Sequence, residues 1–271
     1  MNESIVRGTG SMTEGALSPL SQLQLFEAKY DPVSRAVVED LPLGDDPRCL
    51  EIGAGAGSMA RWIADHAGDG PVLALDADVT HLDAAGRANL RVHEQDVVEA
   101  SYAPGSFDLV FARATLGLIP QREDVLTRAA SWLARGGWLV VEDFYYLPPP
   151  DSPTAVGRVM IDGYLRRLTE LGFDPAWARR LPSSLRAAGL TDVRTRITPA
   201  GPGITEMDNR LIGLRMAQEG NELVEHGLVS ADDLEFFVDA LGAGELWDLS
   251  TVAVSAAGRR PDETGPERST S

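Results

Sequence analysis

The residues with the clearest chemical potential lie in one stretch, Glu51-Ile52-Gly53-Ala54-Gly55-Ala56-Gly57, and at two later carboxylates, Asp76 and Asp96. Three glycines at alternate positions suit a turn that tolerates positive φ or lets another group approach the backbone closely. Where a helix follows such a turn at once, its first amides face whatever the loop holds. A glycine loop by itself specifies little: a dinucleotide, an adenosyl group or no ligand at all would be compatible. The dinucleotide fingerprint requires G-x-G-x-x-G/A, and here Ser58 occupies the third glycine position. That departure argues against a nicotinamide or flavin cofactor and favours a ligand without a diphosphate. Asp76, in ALDAD, follows Gly57 by 19 residues. A carboxylate there accepts ribose hydroxyls or closes a strand-end turn. Asp96, in HEQDVVE, suits an adenine amino group or, again, a turn. The three features in this order are far more specific than any one of them.

The elements that must position these residues alternate along the chain. RCLEIGAG (48–55) predicts a buried strand, Ser58 to His66 a helix, and PVLALDA (71–77), LRVHEQD (90–96) and FDLVFAR (107–113) three further strands. An amphipathic helix over 121–135 is expected to stop at Arg135-Gly136-Gly137, before a fifth strand, WLVVEDF (138–144). Upstream, apolar residues from Leu23 to Leu41 recur at helical spacing, with Asp31-Pro32 read as a helix start. Downstream, PPPDSP (148–153) breaks the pattern. Helices are expected at 154–171, 175–188, 204–226 and 230–241, with strands at 190–198 and 250–258. Residues 1–17 and 259–271 are polar, lack periodicity and are expected to be disordered. Strand–helix alternation implies an α/β domain over 18–258 with mostly parallel strands and helices on both faces. In such sheets ligands lie beyond the carboxyl ends of the strands, where strand order reverses.

A formal net charge of -17 argues against nucleic acid and anionic membrane surfaces as partners, since these demand a basic footprint. The lone cysteine, Cys49, excludes an internal disulfide and reads as an inert thiol within a strand. No apolar run reaches the ~18 residues of a membrane span, and no signal core opens the chain. A cytoplasmic location is therefore expected, with no metal site.

EIGAGAG, ALDAD, EQDV, FDLVFARATLGLIP and LARGGWLVVEDF together resemble the successive motifs of class I S-adenosylmethionine-dependent methyltransferases. The likeness covers about residues 48–144 and is strongest to the ubiquinone/menaquinone-biosynthesis type and to actinobacterial small-molecule enzymes, with YDPVSRAVVEDL adding to the latter. It implies a doubly wound, Rossmann-like methyltransferase fold of seven mostly parallel strands, with the last strand antiparallel. The cofactor half would span about 45–144, with helical lid insertions at about 145–188 and 203–241. The cofactor implied is S-adenosylmethionine, leaving as S-adenosylhomocysteine. Glu51, Gly53, Ala54, Gly55 and Gly57 would hold its methionine portion, Asp76 and Ala77 its ribose, and Asp96 with the Val97 amide its adenine. Arg113 would line the methionine end and Tyr30 would close over the cofactor. Many relatives carry a histidine pair after the fourth strand; here Leu116-Gly117-Leu118 stands in that place.

A sulfonium methyl is already activated, so catalysis is mainly orientation, with a general base helping only a poorly acidic acceptor. The candidate bases are Asp143, which would alternatively hold a turn, and His226, which would alternatively cap a helix. Tyr145, Tyr146, Tyr164 and Trp177 would line an apolar acceptor site or simply pack. The acceptor atom is open among oxygen, nitrogen and carbon, and a homodimer is compatible with the chain. A cofactor-binding relative that does not methylate, such as a cyclase, is the competing expectation; a dinucleotide oxidoreductase and a protein-modifying methyltransferase are others.

Overall fold

The computed structural model describes residues 19–262. The helices are α1 (Pro19–Glu39), α2 (Ser58–His66), α3 (Arg122–Trp132), α4 (Ala155–Glu170), α5 (Leu181–Ala187), α6 (Glu206–Glu225) and α7 (Ala231–Gly242). The strands are β1 (Cys49–Ile52), β2 (Val72–Asp76), β3 (Leu90–Glu94), β4 (Phe107–Arg113), β5 (Leu133–Tyr146), β6 (Thr191–Ala200) and β7 (Thr251–Arg259). Within these limits the chain forms two compact units. One comprises Asp31–Asp143, Trp177–Ile197 and the stretch from Val254; the other comprises the residues up to Tyr30, Phe144–Ala176 and Thr198–Ala253.

Seven strands form one sheet in the order β3-β2-β1-β4-β5-β7-β6. β1 is buried along its whole length and pairs in parallel with β2 on one side and β4 on the other. A four-residue strand of Cys-Leu-Glu-Ile can be that short because both faces are covered and both ladders are filled. Chain order reverses between β1 and β4, so the loop leaving β1 sits at the switch point. Gly136 and Gly137 exchange hydrogen bonds with Arg260, while Leu147 donates to Ser250 at the other end, so β7 runs antiparallel to β5. Edge strand β6 presents Arg194 and Arg196 to solvent, charges that discourage further strand pairing. Arg194 lies 4.8 Å over the Trp138 ring, and Arg196 pairs with Asp40 at 2.9 Å. Against the sheet, Met59, Ile63, Leu109, Phe111, Trp138 and Val140 form part of one apolar cluster. Truncating Phe111 or Trp138 to alanine would cost about 3–5 kcal/mol.

In the second unit α4, α6 and α7 pack through Val156, Met160, Met216, Leu223, Leu234, Phe237 and Leu241. Thr205 and Ser230 cap α6 and α7, each accepting from the backbone amide three residues on. The same unit holds a buried ion pair between Lys29 and Asp208. Asp208 also accepts from the Thr205 hydroxyl at 2.5 Å. Burial pushes the Lys29 ammonium down to about 8. Lys29 is the single lysine of the chain, beside 23 arginines.

Four expectations need correction. Pro32 does not open a helix but lies inside α1, which runs unbroken through it. The lost donor costs about 3 kcal/mol in a helix interior. It is set against the contacts of its neighbours Asp31 and Ser34, described below. Secondly, α3 ends at Trp132 and β5 starts at once, so Arg135-Gly136-Gly137 is no helix stop. Leu133 pairs with Phe107 and Trp138 with Leu109, so β5 bulges there, with Gly136 at φ 76 as the residue that permits it. Thirdly, the segment 175–188 divides into a 3-10 turn, Trp177–Arg180, and α5. Lastly, Arg259 completes β7 and Asp262 accepts from Arg135 at 2.7 Å, so order extends past 258. The remainder of the expected disordered tail, and residues 1–17, lie outside the described residues. No helix among the described residues is long and apolar enough to cross a membrane.

Candidate functional site

The loop from β1 to α2 is fixed from both sides. Gly53 and Ala54 donate to the Leu75 carbonyl at 2.7 and 3.2 Å, while the Gly55 amide donates to Asp76 Oδ2 at 2.7 Å. Gly53, Gly55 and Gly57 all have positive φ, at 70, 56 and 82°. The demand is sharpest at Gly53, where a Cβ would fall on Thr115 Oγ1. Thr115 in turn donates to the Arg113 carbonyl at 2.9 Å, so the turn after β4 is tied down beside the turn after β1. Ala114, between them, takes φ 51, a left-handed conformation that costs a non-glycine residue about 1–3 kcal/mol and clusters at functional sites.

Asp76 is the hub of this edge. Its Oδ1 accepts from the Asp78 amide at 3.0 Å while Oδ2 accepts from Gly55, and its carbonyl accepts from the Gln95 amide at 2.8 Å. Asp76 therefore performs the turn role and also binds the glycine loop to β2. Each carboxylate oxygen keeps acceptor capacity beyond those single bonds. Ala77 beside it is exposed. Asp96 is exposed and accepts from the Val98 amide at 2.8 Å, closing a turn; Val97 is buried and its carbonyl accepts from Arg128 at 3.2 Å. Because β1, β2 and β3 are parallel, the structure brings the loop 53–57, Asp76 and Asp96 to one sheet edge. Glu51 lies one residue inside that edge and is buried.

Arg113, expected at the methionine end of a ligand, is tied to α1 within the protein. Its guanidinium donates to Asp31 Oδ1 and to Ser34 Oγ, each at 2.9 Å. Ser34 in turn donates to Glu142, and Ser58 donates to Asp31 at 3.0 Å. Burial holds the Glu142 carboxyl above its usual range, opposed by hydrogen bonds from Ser34 and Ser255 and by the Arg113 charge. Ser58, the residue that breaks the dinucleotide fingerprint, thus anchors the first turn of α2 to α1. Asp31, Ser34 and Glu142 carry no signal in the sequence, since their partners are up to 108 residues away.

The candidate bases sit differently. Asp143 is buried and accepts from the Gly117 amide at 2.7 Å, holding the 3-10 turn Leu116–Leu118. His226 is exposed at the end of α6, with Nδ1 2.8 Å from the Glu222 carbonyl, a capping position. Trp177 is fully buried and donates to Glu123 at 2.7 Å, the placement of a core residue. Tyr30 is buried in an aromatic group with Phe26 and Phe144, at ring separations of 4.8 and 5.2 Å. Tyr145 is half-buried; Tyr146 packs 6.1 Å from Tyr164 and 5.8 Å from Phe173. Among the described residues no group of three or more histidine, cysteine or acidic side chains could hold a metal ion. Cys49 is buried, which pushes its thiol up to about 12 and fits the inert reading.

Comparison with known proteins agrees with this geometry. The methyltransferase domain family matches residues 50–141. A methyltransferase of Strobilurus tenacellus, Str3, is 32% identical over 142 residues, 51% of each chain. The 27-O-demethylrifamycin SV methyltransferase of Amycolatopsis mediterranei is 32% identical over 158 residues, 50% of this chain and 57% of that protein. The chain thus spans a little over half the length of these curated relatives. Among solved structures, a Haemonchus contortus phosphoethanolamine N-methyltransferase superposes with a TM-score of 0.60 at 16% identity, covering 89% of this chain and 57% of that one. That likeness speaks for the fold. The switch-point loop, the Asp76 hub and strands β1, β2 and β4 all fall within or beside residues 50–141, the stretch that matches the methyltransferase domain family.

Proposed function

We propose that this chain transfers the methyl group of S-adenosylmethionine to a small-molecule acceptor. The observation that carries the reading is Asp76, which clamps the Gly55 amide at the switch point while keeping acceptor capacity for a vicinal diol. The residues fit the cofactor. The glycine loop offers backbone where side chains would obstruct, and Asp76 and Asp96 stand at successive strand ends. Gly53, Ala54, Gly55 and Gly57, with Glu51, would hold the amino-acid portion. Asp76 beside Ala77 would hold the ribose, and Asp96 with Val97 the adenine. When bound, the cofactor supplies a methyl group already activated by the sulfonium.

The protein's own contribution is then positional. Holding an acceptor in line with the methyl carbon is worth up to about 7–11 kcal/mol of the barrier. Asp143 and His226 are engaged in a turn and a helix cap, so the reading assigns no general base. It favours an acceptor acidic or nucleophilic enough to react without one. Tyr145, Tyr146 and Tyr164 are the proposed acceptor-side residues, with Tyr30 retained as a cofactor-side candidate. The charge of -17 supports a small molecule over nucleic acid and accords with work in the cytoplasm. A role in secondary metabolism fits the 27-O-demethylrifamycin SV methyltransferase and Str3 relatives.

Isothermal titration with S-adenosylhomocysteine tests the reading directly. One site per chain is expected; absence of both heat and thermal shift with this compound and with S-adenosylmethionine rejects it. Methyl-labelled cofactor incubated with candidate acceptors then separates methyl transfer from a non-methylating role.

A further inference from the structure

We propose that Arg215, Tyr146 and Tyr164 form a subsite for an oxyanion, so that the acceptor carries a carboxylate or phosphate group; this rests on the methyltransferase reading above. All three residues lie in the helical unit. Tyr146 ends β5, Tyr164 is on α4 and Arg215 is on α6. The Arg215 guanidinium lies 5.3 Å over the Tyr164 ring, and the Tyr146 ring is 6.1 Å from that of Tyr164. Arg215 and Tyr164 both hydrogen-bond with Tyr146. Three polar heads therefore converge where the surrounding elements pack through apolar side chains.

What the cluster lacks is an anion. Arg113, Arg48, Arg87 and Arg167 each have a carboxylate within ion-pair reach: Asp31, Asp108, Asp65 and Glu222. Among the described residues no carboxylate stands at that distance from Arg215, and its Nε is sealed from solvent without a hydrogen-bond partner. Glu219, one helical turn on, contributes its field but no ion pair. A half-buried cation whose Nε is sealed from water and has no hydrogen-bonded counter-charge is costly. A planar fork with an unused N–H is shaped for bidentate capture of a carboxylate or phosphate.

The phenols complete the arrangement. Burial holds the Tyr164 hydroxyl well above its ordinary value, so it stays protonated and able to donate. Burial works against the charge on Arg215, but Tyr164, Tyr146 and Glu219 outweigh it and the guanidinium stays protonated. In a chain of net charge -17 an anionic acceptor is repelled at long range, which makes one dedicated cation the natural device for admitting it.

The test titrates protein, with and without saturating S-adenosylhomocysteine, with 4-hydroxybenzoate, 4-hydroxybenzamide and phenyl phosphate. The expected result is at least ten-fold tighter binding of one oxyanion than of the neutral amide. Arg215→Gln should erase that preference while S-adenosylhomocysteine affinity stays within two-fold. The stronger of the two oxyanions identifies the group. Tyr164→Phe should weaken the oxyanion several-fold and leave the amide unchanged, which serves if Arg215→Gln does not fold. Equal binding of acids and amide by the wild type, or a preference that survives both substitutions, overturns the subsite. Failure of the wild type to bind S-adenosylhomocysteine overturns the methyltransferase reading instead.

Discussion

The carboxyl edge of β1–β3 and the polar cluster on β5, α4 and α6 handle polar groups in opposite ways. At the strand edge the chemistry is done by backbone: glycine amides, turn carboxylates and strand termini, each bonded to the next within about 3 Å. In the helical unit a few charged side chains are set among apolar ones, as with Lys29 and Asp208 in one place and Arg215 in another. The first arrangement is dictated by local backbone geometry and leaves a residue-type signature. The second is made by tertiary packing and can be moved by one substitution. Lys29 and Arg215 show the contrast within that second arrangement: one cation has its carboxylate in contact, while among the described residues the other has two phenols beside it and Glu219 a helical turn away.

The largest effect expected is at Lys29. Lys29→Met should cost about 3–5 kcal/mol in urea denaturation, because Asp208 is left buried without its counter-charge. The double variant Lys29→Met/Asp208→Leu should recover most of that loss. Should the single variant be neutral, the helical unit tolerates unpaired charge and the contrast with Arg215 loses its meaning.

Next comes Gly53→Ala, which meets Thr115 in a left-handed backbone. A loss of about 2–3 kcal/mol and of measurable S-adenosylhomocysteine binding is expected from denaturation and calorimetry. Wild-type affinity in this variant would mean that the loop is not what holds the ligand.

Asp76→Ala should weaken S-adenosylhomocysteine binding by at least ten-fold, about 1.4 kcal/mol. Asp143→Ala should lower Tm but leave that affinity within about three-fold, since the Gly117 amide it holds belongs to the turn after β4 and not to the glycine loop. Equal effects on binding would erase the division between a ligand-holding and a turn-holding carboxylate.

The smallest effect is at Cys49, whose thiol ionises near 9.0 when unfolded and at about 12 when buried. A thiol raised in the folded state is protonated in both states below pH 9, so stability is lost as pH rises from there. Wild type should therefore lose about 1 kcal/mol more than Cys49→Ala between pH 8 and 10. The Lys29 contribution has the opposite sign there and is common to both proteins. Parallel pH profiles would show that the central strand is not closed to solvent.

The same division explains what could be read from residue order. β2, β4 and α2 were legible to within a residue, and β1 to within three, because each is fixed largely by its own apolar pattern and its boundary residues. Gly53, Asp76 and Asp96 fall together as expected because parallel strands place their ends on one edge. Pro32 inside α1 and the bulged start of β5 were not legible, since local preference is overruled by Asp31 and by pairing with β4 and Arg260. Arg113 and Trp177 have residue types that suit a ligand, but Asp31 and Glu123 claim them from 82 and 54 positions away. Arg215 was missed because one arginine among 23 has no local mark.

The solitary lysine has a practical corollary. With Lys29 enclosed beside Asp208, the native fold offers no side-chain amine to acylating dyes, aldehyde fixatives or succinimidyl crosslinkers. Any labelling that reaches position 29 then reports separation of α1 from α6, one chromogenic handle that clocks local opening of the helical unit.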